Sequence, residues 1–537
     1  MAGSVDVHDR GALASPPTQT SQWFLSAAER GNDHTTLDRR HRGGDAWSTG
    51  NRVQALVHGD VYFRALLKAV QAMGDGDVLM FTDWRGDEDE LLDGPGTEVG
   101  KVFAEAARRG VSVRGLIWRS HSNLFNFSVR GNRSLGKAIR AAGGQCLLDM
   151  RVRPFGSHHQ KLVVLRHRGE PERDIAFLGG IDLCHGRGDD STHLGDPQVE
   201  TMSAVYGPRP PWHDIQLSVQ GPAVGDAETV FRERWEDPAP LSRHPIHVFF
   251  EWVHHEDRAA RPLPPQFPDP EPCGTHTVQL LRTYPKRRDG YPFAPEGERS
   301  IARAYTKALA QARSFVYVED QYLWSLDVAK VYAEALRRES ELRLVVVIPQ
   351  FPDQDGRISL PPNLAGREPV LRLLKEAGGS RFAVYCLENS EGTPIYVHAK
   401  ACVIDDLWGC IGSDNANRRS WTHDSELTCA VLDNDPSTPR TWAQSLRLEL
   451  ASGHLGGSVP DDVLTDPIKA YDAFAQAAAA LDSWHAGGQR GPRPPGQLRT
   501  YTQAPVSGWT RIWANPLYRG FYDPDGRIRS MRRNARF

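Results

Sequence analysis

The sequence predicts an α/β fold of two similar lobes. Each is a mixed β-sheet flanked by helices, and a pseudo-twofold axis relates the two, with the active site at their interface. Three observations lead there. Apolar strand patterns alternate with amphipathic helical patterns in two successive runs. A proline-rich stretch separates the runs. A His-x-Lys tripeptide leading into strand-forming residues occurs at His159–Lys161 and again at His398–Lys400.

In the first run the spacing predicts a helix over 62–73, a strand over 78–84, a helix over 101–109, a strand over 113–118, a helix over 134–142, and then the strand carrying His159. The second offers a helix over 301–312, a strand over 315–324, a helix over 328–338, a strand over 342–349, a helix over 369–377, and the strand carrying His398. The intervals agree: Asp83 precedes His159 by 76 positions and Asp320 precedes His398 by 78. A small-residue turn follows each histidine, GGID at 179–182 and GSDN at 412–415. The first offset is longer, and the polar stretch 166–174 supplies the extra loop.

These features divide the chain into a flexible N-terminal segment (1–45), a first lobe (46–260), a linker with six prolines (261–274), a second lobe (275–455) and a C-terminal extension (456–537) with five arginines in its last twelve residues. The chain is 39% hydrophobic and 24% charged over 537 residues, a globular composition. A net charge of −3 gives no general attraction to nucleic acid. Seven scattered cysteines with no CxxC pair argue against a disulfide framework and a zinc site, and for a reducing compartment. The first residues lack the pattern of a signal peptide, and no apolar run is long enough to span a bilayer. The expected location is cytoplasmic, with contact to membrane limited to the periphery.

Two imidazoles and two ammoniums meeting in one cleft suit phosphodiester cleavage. Lysines bind phosphate oxygens as point charges, a neutral imidazole attacks phosphorus, and a protonated one serves the leaving alcohol. No metal or other cofactor is expected to take part.

HAKACVID (398–405) with GSDN (412–415), and HHQKLVVLR (158–166) with GGID, resemble the twice-repeated HxKxxxxD and GSxN motifs of the phospholipase D superfamily. The blocks FLGGIDLCHGRGD (177–189), PWHD (211–214) and YVEDQYLW (317–324) are similar to the eukaryotic-type phospholipases D. The resemblance implies that His159 forms a phosphohistidine. It implies that His398 is the general acid and then the base, and that Lys161, Lys400 and Asn415 hold the non-bridging oxygens. It also implies that a carboxylate about thirty residues after each motif histidine orients a ring across the lobe interface; Asp189 and Glu426 stand at those positions. The implied activity is phosphodiesterase and transphosphatidylase cleavage of phospholipid head groups, and the expected state is a monomer because one chain holds both motifs. The alternatives are a cardiolipin synthase-type enzyme, a nuclease, or a lipid-binding scaffold with a decayed first motif.

The first motif carries Arg166 where the pattern has Asp; the second has Asp405. Seven residues of strand put that position about 23 Å along the chain from the histidine, and parity puts it on the other face. The motif Asp therefore reads as a strand-end fastener, and the first copy as active. Trp84, Trp212, Tyr317, Tyr322 and Trp324 are candidates to line the cleft. LFNFSVR (124–130) and the arginine-rich tail are candidates for lipid contact.

Overall fold

The strands of the first half are β1 (Ser48–Val57), β2 (Val78–Asp83), β3 (Ser112–Trp118), β4 (Gln145–Asp149), β5 (Leu162–Arg166), β6 (Ile175–Gly179), β7 (Trp212–His213) and β8 (Ile215–Gln220). Those of the second are β9 (His276–Tyr284), β10 (Glu298–Arg299), β11 (Phe315–Glu319), β12 (Arg343–Val347), β13 (Phe382–Glu388), β14 (Pro394–Val397), β15 (Ala401–Ile404), β16 (Trp408–Gly412), β17 (Glu426–Asp433) and β18 (Leu498–Thr500). This is a computed structural model, and it describes residues 19–41, 43–121, 129–354, 356, 360–433, 438–533 and 537.

Pairing builds two mixed sheets with corresponding strand orders. One runs β4-β3-β2-β5-β6-β8-β1, parallel from β4 to β2 and antiparallel beyond. The other runs β13-β12-β11-β15-β16-β17-β9 with the same change of sense at β11–β15. The start of β1 also pairs with β9, so the sheets are joined along that edge. On β5, Leu162 and Val164 enter a core shared by both sheets, while Val163 and Leu165 enter an outer core beneath the helices Gly59–Gln71, Val99–Arg108 and Val129–Ala141. On β15, Ala401 and Val403 face the shared core, and Cys402 and Ile404 face the opposite helical layer. Period-two alternation with both faces apolar is what a sheet covered on both sides requires.

Two expectations need correction. Residues 19–41 are not loose: Trp23, Phe24 and Leu25 are buried in the outer core of the second sheet. Arg30 is fully buried between Asp38 (2.7 Å) and Glu298 (3.0 Å). The polar composition that suggested disorder is used in buried ion pairs. Second, the His-x-Lys tripeptides precede their strands, since β5 begins at Leu162 and β15 at Ala401. Within the C-terminal extension, β18 pairs with β13, and Phe537 packs on Trp421. Residues 124–128 of LFNFSVR lie outside the described residues. Among the described residues, no helix is long and apolar enough to cross a membrane.

Candidate active site

Each His-x-Lys segment is pinned across to the other half of the chain. The His159 N–H donates to the Ser425 carbonyl (2.9 Å), and the residue after Ser425 is Glu426. The His398 N–H donates to the His213 carbonyl (2.8 Å), and the residue after His213 is Asp214. The backbone pairing thus places one carboxylate beside each imidazole: His159 Nδ1 lies 2.9 Å from Glu426 Oε2, and His398 Nδ1 lies 2.6 Å from Asp214 Oδ2. Glu426 stands where the sequence placed an orienting carboxylate. Asp189 does not. It accepts from the Trp212 (2.7 Å) and Gly195 (3.0 Å) N–H groups and so fastens the loop ahead of β7, while Asp214 makes the contact with His398 expected of Asp189.

Asp214 was missed because the spacing differs between copies. From the small-residue turn to the carboxylate the second copy needs 11 residues, Asn415 to Glu426; the first needs 32, Asp182 to Asp214. The usable signal was position relative to the next strand. Asp214 immediately precedes β8, and Glu426 opens the corresponding strand β17.

The lysines fold back on their own tripeptides. Lys161 Nζ donates to His159 O (3.0 Å) and lies 3.3 Å from Asp182; Lys400 Nζ donates to His398 O and to Gln321 Oε1 (3.3 Å). Spacing by two lets each ammonium reach the histidine carbonyl. Each retains N–H capacity for a further acceptor. His159 feels the charge of Lys400 as well as Lys161, and Lys400 feels Lys161 and Asp182, so the two motifs share one electrostatic site. Asn415 is buried, and its Oδ1 has no hydrogen-bond partner; turning the amide would present its NH₂ to that space. Trp84 lies edge-on to His159 at 6.0 Å between ring centroids, and Trp212 lies 4.8 Å from His398. The Arg187 guanidinium sits over the Trp212 ring, 3.8 Å from its centroid. Tyr317 belongs to the core, where its hydroxyl donates to Glu319 (2.6 Å), and Tyr322 stacks on Trp324 at 4.1 Å.

The two carboxylate–imidazole pairs differ electrostatically. Burial, and then the Lys161 ammonium, hold His159 well below its ordinary pKa; burial and Lys400 push His398 down to about 3. Glu426 is pushed up to about 8, by burial and then by the neighbouring Asp424. Burial raises Asp214, but the facing His398, the Lys400 ammonium and the Ile215 N–H together hold the carboxyl below its usual range. Burial lowers Lys400 to about 8. In the buried pair Asp83–Asp182, burial lifts Asp83, whereas Lys161 holds Asp182 ionised. Oε2 of Glu426 accepts from Ser413 Oγ (2.5 Å) as well as facing His159 Nδ1, and the Ser420 hydroxyl also acts on the carboxyl. A proton on Glu426 therefore belongs on Oε1. His159 then donates through Nδ1, which leaves the Nε2 lone pair available.

The description "Phospholipase D" belongs to the family model that matches residues 87–328, and "Cardiolipin synthase, PLD-like domain" to the one that matches 305–445. The chain belongs to the phospholipase D superfamily. Among its relatives are phospholipase D alpha 1 of Cynara cardunculus, 26% identical over 67% of this chain and 59% of that protein, and phospholipase D alpha 4 of Arabidopsis thaliana, 24% identical over 71% and 60%. The chain thus spans about three-fifths of the length of these relatives. A phosphatidylserine synthase from Haemophilus influenzae Rd KW20 is similar to it with a TM-score of 0.48 and 12% identity, over 72% of this chain and 83% of that one.

The motif-end position Arg166 is fully buried. Its guanidinium donates to Asp174 (2.7 Å), Glu228 (2.5 Å) and the carbonyls of Phe267 (3.1 Å) and Pro268 (2.6 Å). It ties the end of β5 to the proline-rich linker. Asp405 instead accepts from the Arg313, Ser314 and Phe315 N–H groups (2.7–2.9 Å), fastening the start of β11. In the first half Asp77 performs the reverse fastening, accepting the Arg168 N–H (2.8 Å) beyond β5. The strand-parity argument does not reach His159, because the regular strand starts three residues later; the separation along the strand still holds.

Proposed function

We propose that this chain is a phospholipase D-type phosphodiesterase and transphosphatidylase whose two halves are related by a pseudo-twofold axis through the His159/His398 cleft. The observation that carries the reading is the pair of His-x-Lys segments, each backed by a carboxylate from the other half. Histidine 159 is the nucleophile: its Nε2 bonds to phosphorus as the bond to the head-group oxygen breaks, and protonated His398 gives that oxygen its proton. His398 then takes a proton from water or an alcohol, whose oxygen attacks phosphorus and displaces His159. Lys161, Lys400 and Asn415 hold the non-bridging oxygens.

The difference between the pairs supports these roles. A neutral Glu426 leaves His159 neutral and nucleophilic, whereas an ionised Asp214 stabilises His398 as an imidazolium. Charge balance supports a protonated His398 only in the complex. Lys161 and Lys400 are offset by Asp182 and Asp214 in the free site. An arriving phosphodiester anion then favours uptake of one proton.

A lipid substrate is favoured over nucleic acid by the apolar surfaces near the cleft. The helix Pro245–Val253 exposes Ile246, Phe249, Phe250 and Trp252, and its Glu251 holds Arg119 (2.8 Å), next to the Trp118 that stacks on Trp84. The helix Gly508–Leu517 exposes Trp509 and Ile512, and is followed by Phe521, which touches exposed Phe155 just ahead of His159. Aromatic residues in such numbers suit a membrane interface. The test is incubation of the pure protein with mixed phospholipids and ethanol. Phosphatidic acid and phosphatidylethanol are expected; a protein inert on lipids and on soluble phosphodiesters would leave the scaffold reading.

A further inference from the structure

Behind the His398–Asp214 pair lies a cluster of imidazoles that phosphoryl transfer does not use. His58, His193 and His213 converge with ring centroids 4.8, 5.5 and 5.6 Å apart, and one ring nitrogen from each lies within 4.8 Å of the others. His213 is 1% exposed and His193 2%. The Nδ1 atoms of His58 and His213 are buried without a hydrogen-bond partner. A buried ring nitrogen left unpaired is costly, so two side by side call for a missing partner.

The outward nitrogens are already oriented. His213 Nε2 meets Glu319 Oε2 (2.7 Å), and Glu319 is held in turn by His454 Nε2 (2.7 Å) and the Tyr317 hydroxyl (2.6 Å). His193 Nδ1 meets the Trp212 carbonyl (3.1 Å), with Asp189 Oδ2 at 3.6 Å. A ring nitrogen fixed by a carboxylate or carbonyl while the other points inward is the outer-sphere arrangement of histidine metal ligands.

We propose that His58, His193 and His213 form a structural site for a divalent transition-metal ion of the zinc type, with a water completing the coordination. Three nitrogen donors select a borderline ion over Ca²⁺ or Mg²⁺, which require oxygen. Tetrahedral zinc with bonds of about 2.0–2.1 Å brings nitrogens to roughly 3.4 Å, within reach of small ring rotations. The ion would join three segments on which the acid-side histidine is mounted. The His58 N–H donates to the Asp214 carbonyl (3.0 Å), the His213 carbonyl accepts from the His398 N–H (2.8 Å), and His193 follows the loop fastened by Asp189. The ligands come from positions 58, 193 and 213, so no local spacing reveals the site.

The test uses the full chain, stripped with a strong chelator and titrated with Zn²⁺ or Co²⁺ alone. The wild type should bind one equivalent, give the intense visible absorption of four-coordinate Co²⁺, and melt at higher temperature with metal. His58→Asn keeps a polar side chain at this strained position (φ 77°, ψ 152°), where it removes the imidazole without adding bulk. It should weaken binding by more than about tenfold and abolish the thermal shift. His193→Gln should do the same and serves if His58→Asn does not fold. His159→Asn, on the other side of the catalytic cleft, should bind like wild type. A wild type that binds no metal, binding that survives His58→Asn or His193→Gln, or binding lost in His159→Asn would each overturn the site.

Discussion

Replacing Arg166 with methionine should damage the stability of this protein and spare its chemistry. The substitution keeps most of the apolar stem and removes the guanidinium. That leaves the Asp174 carboxylate, at 0% side-chain exposure, without its cation, strips Glu228 of one of its two, and orphans the Phe267 and Pro268 carbonyls. Removing one partner of a buried ion pair costs about 3–5 kcal/mol. For a unit of some 200 residues this lowers Tm by about 6–20 °C. Restoring the superfamily's aspartate, Arg166→Asp, should be worse, because it puts a third carboxyl among two buried ones. The catalytic effect should be small. Five residues of strand place Arg166 about 17 Å from Lys161, and a rate change within tenfold corresponds to at most about 1.4 kcal/mol of barrier. The measurements are thermal unfolding and kcat/KM on a soluble phosphodiester, at a temperature where the variant is folded. A stable Arg166→Met variant with a rate loss above tenfold would refute this reasoning, as would an Arg166→Asp variant that gains activity over an inert wild type.

Histidine 159→Asn should abolish turnover and the acid-labile phospho-enzyme, whereas His398→Asn should slow turnover by about 10²–10⁴ and still permit labelling of His159 by a substrate with a good leaving group; phosphate mapped to His398 would reverse the roles. Asp214→Asn should lower kcat by about 10²–10⁴, while Asp189→Asn should cost stability and less than about tenfold in kcat; the opposite ranking would restore Asp189 as the orienting carboxylate. Lys400 must be charged to hold phosphate and is lowered to about 8, so kcat/KM should fall as pH rises through about 8. In Lys400→Arg, which keeps its charge, that limb should move beyond the accessible range; an unmoved limb would assign it to another group, Glu426 first.

The sheets, their helical cover and the repeated histidine–lysine pairs were legible because each rests on local pattern. Leu162–Arg166 alternates between two apolar faces, and the tripeptide supplies both an imidazole and the ammonium that bonds its carbonyl. Glu426 was legible because only a short turn separates it from its motif. Asp214 was not, because the long excursion between Asp182 and β7 changes the count without changing the strand partner. The buried Arg30 and Arg166 were also hidden. A sequence shows an arginine; only the fold shows the Asp38, Glu298, Asp174 and Glu228 carboxylates that make its burial tolerable.

The exchange of segments between halves would also let two similar halves take different roles in the proposed reaction. Each histidine lies beside a carboxylate belonging to the other half, so the surroundings of that carboxylate can diverge without moving either motif. Around Glu426 the second half places Asp424, and the negative neighbour helps lift the glutamate to about 8. Around Asp214 the first half places His213, its ring turned to Glu319, and the aspartate is ionised against His398 and Lys400. The glutamate behind one imidazole is pushed toward its neutral form, and the aspartate behind the other toward its anion. Calorimetry on His159→Asn with a slowly cleaved phosphodiester, in buffers of different ionisation enthalpy, should show uptake of about one proton at pH 7. Binding without uptake would mean that His398 is already charged, or that the proton for the leaving oxygen comes from elsewhere.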